Sequence, residues 1–217
     1  MEYRVVHNRL AIDVTDLGAR LGRSESEIEQ VLVTLGFIAF RVDAISLARR
    51  LIGRSQFSRG ALARMAPHIV DCSLFTQWVW GRCGIELGRR SVQQADDGEP
   101  DDVDRPSKGS LLLTEGPRNF EADFPIGHAG LASGEGTVIH ASNRIRGGVR
   151  EKGVFEIPIV DFWRGNVRLA RRLSPDGHKL ITYRIPDDGD ITRESDVYWQ
   201  LWAYYNSGAR EQQGSSL

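Results

Sequence analysis

The apolar pattern changes period near residue 109, and that change limits what the chain can fold into. Upstream, apolar residues recur at helical spacing: Ile28, Val31, Leu32 and Leu35 fall on one face, and Ile45, Leu47, Ala48, Leu51 and Ile52 repeat the pattern over residues 44–53. Downstream they form short β-rich runs, at Leu111–Thr114, Gly127–Ala132, Thr137–Ser142, Val154–Val160 and Leu180–Ile185. Ser-Gly-Glu-Gly at 133–136 joins two of these runs and reads as a hairpin turn. Helices followed by a run of strands predict an α+β fold.

Local signals punctuate the helical half. Thr15 or Asp16 can cap a first short helix, and Ser24 with Glu27 three residues on makes a capping box for a second, which Gly36 ends. Asp71-Cys72-Ser73 opens an apolar helix that runs to about Cys83 and stops at Gly84. Six acids crowd residues 96–104 and read as a solvated loop; they lack the ligand spacing and turn glycine of a calcium loop. The polar stretch 207–217 reads as a disordered tail.

Composition removes several classes of function. Apolar residues make up 41% of the 217 and charged residues 26%, which is globular rather than disordered. A formal net charge of −1 gives no basic field for nucleic acid or an anionic membrane. No apolar run is long enough to span a membrane, and the first residues show no apolar core of a signal peptide. The compartment stays open between cytoplasmic, phage-delivered and exported with the signal removed. Two cysteines, Cys72 and Cys83, cannot build a disulfide framework.

Cys72 stands out because helix-start amides and the helix dipole favour a thiolate there. A thiolate nucleophile needs a base. Of the five histidines, His128 and His140 lie in the two strands of the hairpin. Side chains alternate along a strand, so an even pairing sum, such as 268 or 270, puts both imidazoles on one face, and an odd sum separates them. In the even case His140 can orient His128, which takes the Cys72 proton and returns it to the leaving amine.

The ordered set of motifs resembles the NlpC-type cell-wall cysteine peptidases, a papain-like family. Its Asp-Cys-Ser helix start corresponds to Asp71-Cys72-Ser73, its His-x-Gly strand to His128-Ala129-Gly130 and its His-Ala strand to His140-Ala141. The stretch from Gly84 to Gln94 resembles the family's glycine-isoleucine, arginine-serine and glutamine run, and Gly147-Gly148-Val149 its glycine-valine step. The resemblance covers residues 44–173. It implies a nucleophile helix packed on an antiparallel sheet, with Cys72 as nucleophile, His128 as base and His140 as orienting residue. It further implies amide hydrolysis through a thioester, with the Cys72 backbone N–H as an oxyanion donor. Family members commonly cut γ-D-glutamyl bonds in peptidoglycan stem peptides.

Three positions depart from the family pattern: Phe57 stands where a Tyr is usual, Leu74 where a Gly is usual and Ser110 where an Asp is usual. All three triad-type residues are kept. Asp71, Ser73, Phe57 and Arg144 are the candidate substrate contacts. No metal or organic cofactor is implied; Cys72, His128 and His140 form a set that zinc can also accept, but the helix-and-strand context favours a thiol triad.

The expected organisation is an N-terminal helical segment at 1–43, the peptidase core at 44–173 and a C-terminal αβ extension at 174–217. The expected partner is a peptide or amide substrate such as a peptidoglycan fragment, with no nucleic acid and no membrane span. Residues 16–36 resemble a helix-turn-helix, with Gly18, Gly22, Ser24, Ile28 and Val31 at its small, turn and core positions. Its second helix carries Glu25, Glu27 and Glu29 and no Lys or Arg through Leu35, a charge that DNA repels. Arg144, Arg146 and Arg150 read as a solvated loop after the His140 strand. The aromatics of 198–205 read as core packing of a C-terminal element. Besides the hydrolase, two other readings stand: an inactive papain-like binding module, and a helix-turn-helix regulator.

Overall fold

The structure, a computed structural model, describes residues 2–116, 125–187 and 189–213, with side chains as far as residue 207. The fold is α+β. The first elements are β1 (Arg9–Asp13), α1 (Val14–Leu21), α2 (Glu25–Thr34), β2 (Ile38–Phe40), α3 (Ala44–Arg49), β3 (Gln56–Phe57) and β4 (Ile69–Val70). Then come α4 (Cys72–Arg82), α5 (Ser91–Gln94), β5 (Glu99–Pro100), β6 (Leu111–Glu115), β7 (Ile126–Ala132), β8 (Thr137–Arg146) and β9 (Val149–Pro158). The last are α6 (Ile159–Phe162), β10 (Arg168–Arg172), β11 (Leu180–Arg184) and α7 (Glu194–Gln213).

The chain divides into two compact units: Met1–Val42 with Cys83–Glu86 and Asp176–Leu217, and Asp43–Arg82 with Leu87–Pro175. In the first, β11 lies between β1 and β2, antiparallel to both. Leu10, Ile12, Leu17, Ile28, Leu32 and Phe37 are fully buried there, and Phe37 meets Tyr183 edge to face at 6.1 Å. The segment 83–86 joins through the Ala11 N–H, which donates to the Gly84 carbonyl at 2.9 Å. Gly84 has φ +78, and a Cβ there would come within 2.5 Å of the Ala11 nitrogen, so only glycine fits.

Several local expectations change. Asp13, not Thr15 or Asp16, caps α1: its carboxylate accepts from the Asp16 N–H at 2.9 Å. Thr15 is spent on Glu25 and on the Lys179 amide instead. The capping box of Ser24 and Glu27 is present on α2. α7 runs on to Gln213 within the stretch 207–217 expected to be a disordered tail, because Ala209-Arg-Glu-Gln-Gln are all good helix formers, and 214–217 lie outside the described residues. The helix expected over 44–53 ends at Arg49 and passes into turns.

The second unit holds a six-stranded antiparallel sheet in the order β5-β10-β6-β7-β8-β9, with α4 and α5 packed on it. Even-numbered Leu112, Ala132, Val138 and Ala170 cluster with Phe162 of α6 on one face, and odd-numbered Leu113 and Ala129 pack with Ala95 on the other. The β8–β9 hairpin is longer than expected. Gly147 and Gly148 have φ +55 and +80, the signature of a two-residue type I′ turn, so the ladder continues to Arg146↔Val149. Arg144, Arg146 and Arg150 therefore lie on strands rather than in a loop. Nor is the acidic stretch simply solvated: Asp101 accepts from the Ser107 N–H and the Ser110 hydroxyl, and Asp97 from the Gly88 N–H.

Candidate active site

The β7–β8 pairing reads Leu131↔Ile139 and Ala132↔Val138, an even sum of 270. His128 and His140 therefore share a face. Their rings meet at 5.1 Å nearly at right angles, and His128 Nε2 lies 2.8 Å from His140 Nδ1. One of these nitrogens donates and the other accepts, so His128 keeps Nδ1 for a second partner. Both rings rest on Phe162, at 5.3 and 5.6 Å. Gly130 keeps that space open, since a Cβ would come within 2.6 Å of Val138, 2.9 Å of Phe162 and 3.2 Å of the His140 Cβ.

The same ladder explains where Cys72 sits. Ala132 exchanges its backbone bonds with Gly109 and Ser110, on the β6 side, so odd-numbered residues of β7 direct theirs toward β8. The β7–β8 pairs stop at Leu131, which leaves Gly127 and Ala129 with free groups on that side. The Cys72 thiol at the start of α4 takes them: Sγ lies 4.0 Å from the Gly127 carbonyl oxygen, and the Ala129 N–H points at the sulfur. The nucleophile candidate is thus bonded to the two residues that flank His128 in the chain. The thiol's hydrogen-bond partner in this structure is thus the strand backbone on either side of His128.

The electrostatics also depart from expectation. Burial pushes the Cys72 thiol up to about 11, and the Asp71 charge adds to that. The amides of Ala129, Ser73 and Cys72 pull the other way and are outweighed. Burial holds His128 well below the ordinary imidazole value, with His140 and Arg164 adding to the effect. His140 falls to about 4 through burial and the positive charges of Arg164 and Arg144. Burial therefore favours the neutral forms of the thiol and of both rings, against the pull of the helix-start amides toward a thiolate.

Asp71 and Ser73 turn inward. Asp71 Oδ1 accepts from the Leu74 N–H at 2.8 Å and caps α4, while Arg89 grips both Asp71 oxygens at 3.0 and 2.7 Å. Ser73 donates to Asp71 and accepts from Arg89. Gln94 ties the helix down through the Thr76 hydroxyl and the Ser73 and Gly88 carbonyls. Arg89 and Gln94 lie in the run that carried the resemblance, but their partners are visible only in three dimensions. Phe57 is half-buried in the short parallel β3–β4 pair, opposite Val70. Ser110, where an acid is usual, binds the carboxylate of Asp101 at 2.6 Å, so a neighbouring loop brings an acid to that corner. Arg144 lies on the His140 face of β8, with its guanidinium 3.6 Å from the Phe155 ring and its Nε 2.7 Å from Glu151. Among the described residues no three His, Cys, Asp or Glu side chains are grouped to hold a metal ion, and no helix is long and apolar enough to cross a membrane.

Two curated relatives, each named as a probable endopeptidase of Corynebacterium glutamicum, are 34% identical over 101 residues, or 46% of this chain. The match spans 42% and 41% of their lengths, so this chain covers less than half of either. Among solved structures, NlpC2 of Trichomonas vaginalis aligns with TM-score 0.48 and 23% identity over 60% of this chain and 45% of that one. RipD of Mycobacterium tuberculosis, described as a non-catalytic NlpC/p60 domain protein adapted to peptidoglycan binding, aligns with TM-score 0.42 and 17% identity over 62% of this chain and all of that one. The NlpC/P60 family model matches residues 55–164, about half of the sequence, and the chain belongs to that family.

Proposed function

We propose that this chain is a cysteine hydrolase that cleaves an amide bond in a peptidoglycan-type stem peptide through a thioester. The observation that carries the reading is the 2.8 Å bond between His128 and His140, made on the strand whose backbone also holds the Cys72 thiol. Thiol and imidazole rest neutral, so the proton leaves Sγ for His128 Nδ1 as the sulfur attacks the scissile carbonyl. The positive charge that forms on His128 is met by the His140 lone pair through the Nε2–Nδ1 bond. The Cys72 N–H, at the helix start, faces the developing oxyanion. His128 then protonates the leaving amine, and water, deprotonated by the same ring, releases the acid from the thioester.

The test is incubation with muropeptides of defined stem composition, following release of a new amine. Turnover that vanishes in Cys72→Ala and His128→Ala supports the reading. Equal product from the wild type and Cys72→Ala removes it. The high thiol pKa favours a second reading, a binding module without turnover. Muropeptide binding by a wild type that releases no amine would select that one.

A further inference from the structure

Arg144 is built into the site in a way the hydrolase reading does not use. It is four residues beyond His140 on the same strand, so its side chain leaves the sheet on the His140 face. The chain does not extend outward. It folds back over Phe155, which lies opposite His140 in the ladder and 6.4 Å from its ring. Glu151, the cross-strand partner of Arg144, takes Nε and, among the described residues, leaves the two terminal nitrogens of the fork uncommitted. A stacked, ion-paired guanidinium has little rotamer freedom left to lose, and its open edge is shaped for two parallel bonds to a carboxylate. Arg164 adds a second positive charge that reaches both histidines.

We propose that Arg144 is a carboxylate-binding residue that selects substrates with a free acid beside the scissile amide, and that Phe155 and Glu151 position it. This rests on the hydrolase reading for the word substrate, but the binding site stands or falls separately. A γ-linked glutamyl residue leaves its α-carboxylate beside the bond to be cut, whereas the isoglutamine form presents a neutral amide there. The carboxylate matches the fork in charge and geometry; the amide offers one acceptor and a donor that meets like charge.

The test compares a matched pair of stem peptides, α-acid and α-amide, by calorimetric binding to the Cys72→Ala chain and by turnover on the wild type. The acid is expected to bind roughly 10–100-fold more tightly, the range of a charged bidentate pair. Arg144→Met should erase that preference by weakening the acid alone, through KM rather than kcat. Arg144→Lys, which keeps the charge and loses the fork, should retain part of it, and Glu151→Gln should reduce it several-fold. Equal binding of acid and amide to Cys72→Ala overturns the proposal. So does an Arg144→Met variant that, folded by circular dichroism, weakens both peptides alike. Selective binding of the acid without turnover by the wild type would remove the hydrolase reading and keep the carboxylate site.

Discussion

His128 Nε2 and His140 Nδ1 lie 2.8 Å apart across two strands that have already parted, so a side-chain bond continues the link where the backbone ladder stops. This contact holds the His128 ring in its orientation against His140. His128→Ala is expected to lower kcat about 10²–10⁴-fold, the ordinary range for a general base. His140→Ala should cost less, and His140→Asn, which keeps an acceptor, less again. Single-turnover kinetics on a cleaved muropeptide checks the order; a His140→Ala loss larger than that of His128→Ala would reverse the assigned roles.

With the Cys72 thiol at about 11, alkylation by iodoacetamide should climb nearly tenfold per pH unit from 7 to 10, with no plateau near neutrality. Asp71 raises the thiol pKa, and Asp71→Asn keeps the α4 cap while removing that charge. The variant should alkylate several-fold faster at pH 8. Peptide mapping separates Cys72 from Cys83, and a bell or plateau below pH 8 in the wild type would mean a preformed thiolate instead.

Gly130→Ala places a methyl group where Val138, Phe162 and the His140 Cβ already stand. Overpacking of this kind costs roughly 1–3 kcal/mol. Phe162 is the floor under both imidazoles, so the shift should also reach the chemistry. Thermal melts with kcat measurements should show a modest loss of stability and a larger loss of turnover. Unchanged kcat would mean the floor does not set the ring positions.

Buried groups in the two units are shifted so that their contributions to stability run in opposite senses with pH. Glu194 is buried beside Asp13, and burial raises it from 4.5 to about 7. Between those values the folded chain holds a proton that the unfolded chain has lost, so this contribution is full below 4.5 and lost as pH rises through 7. The buried imidazoles act the other way: below 6.5 the unfolded chain takes up protons that His128 and His140 refuse, and stability falls as pH drops toward 4. Glu194→Gln keeps an acceptor for the Asp13 N–H and removes the charge. Unfolding free energies from denaturant titration should rise by on the order of 1–3 kcal/mol at pH 8.5 and stay nearly unchanged at pH 4.5.

Periodicity and caps made the α+β class, the capping box of Ser24 and the start of α4 legible in the sequence, because each is a short-range effect. Register was legible only as a condition: even numbering told what a sum of 270 would mean, not that it would occur. The pull of the helix-start amides on the thiol is legible in sequence, whereas the desolvation that opposes it is not. Arg89 and Gln94 bind Asp71 and Thr76 across 18 residues each, and Phe162 reaches its histidines from another element, so no local pattern announces them. Arg144 was expected in a loop because the strand reading of Val154–Val160 began too late; the two positive-φ glycines set the turn five residues earlier.

In the first unit β11 lies between β1 and β2, which do not pair with each other. A growing polypeptide makes both outer strands early and the one between them roughly 140 residues later. At common synthesis rates of about 5–20 residues per second, the gap lasts roughly 7–30 s. The six strands from Glu99 to Arg172 all leave the ribosome within that interval. Residues 9–40 therefore wait with open edges, an invitation to chaperones, while the strands that carry His128 and His140 are already able to close.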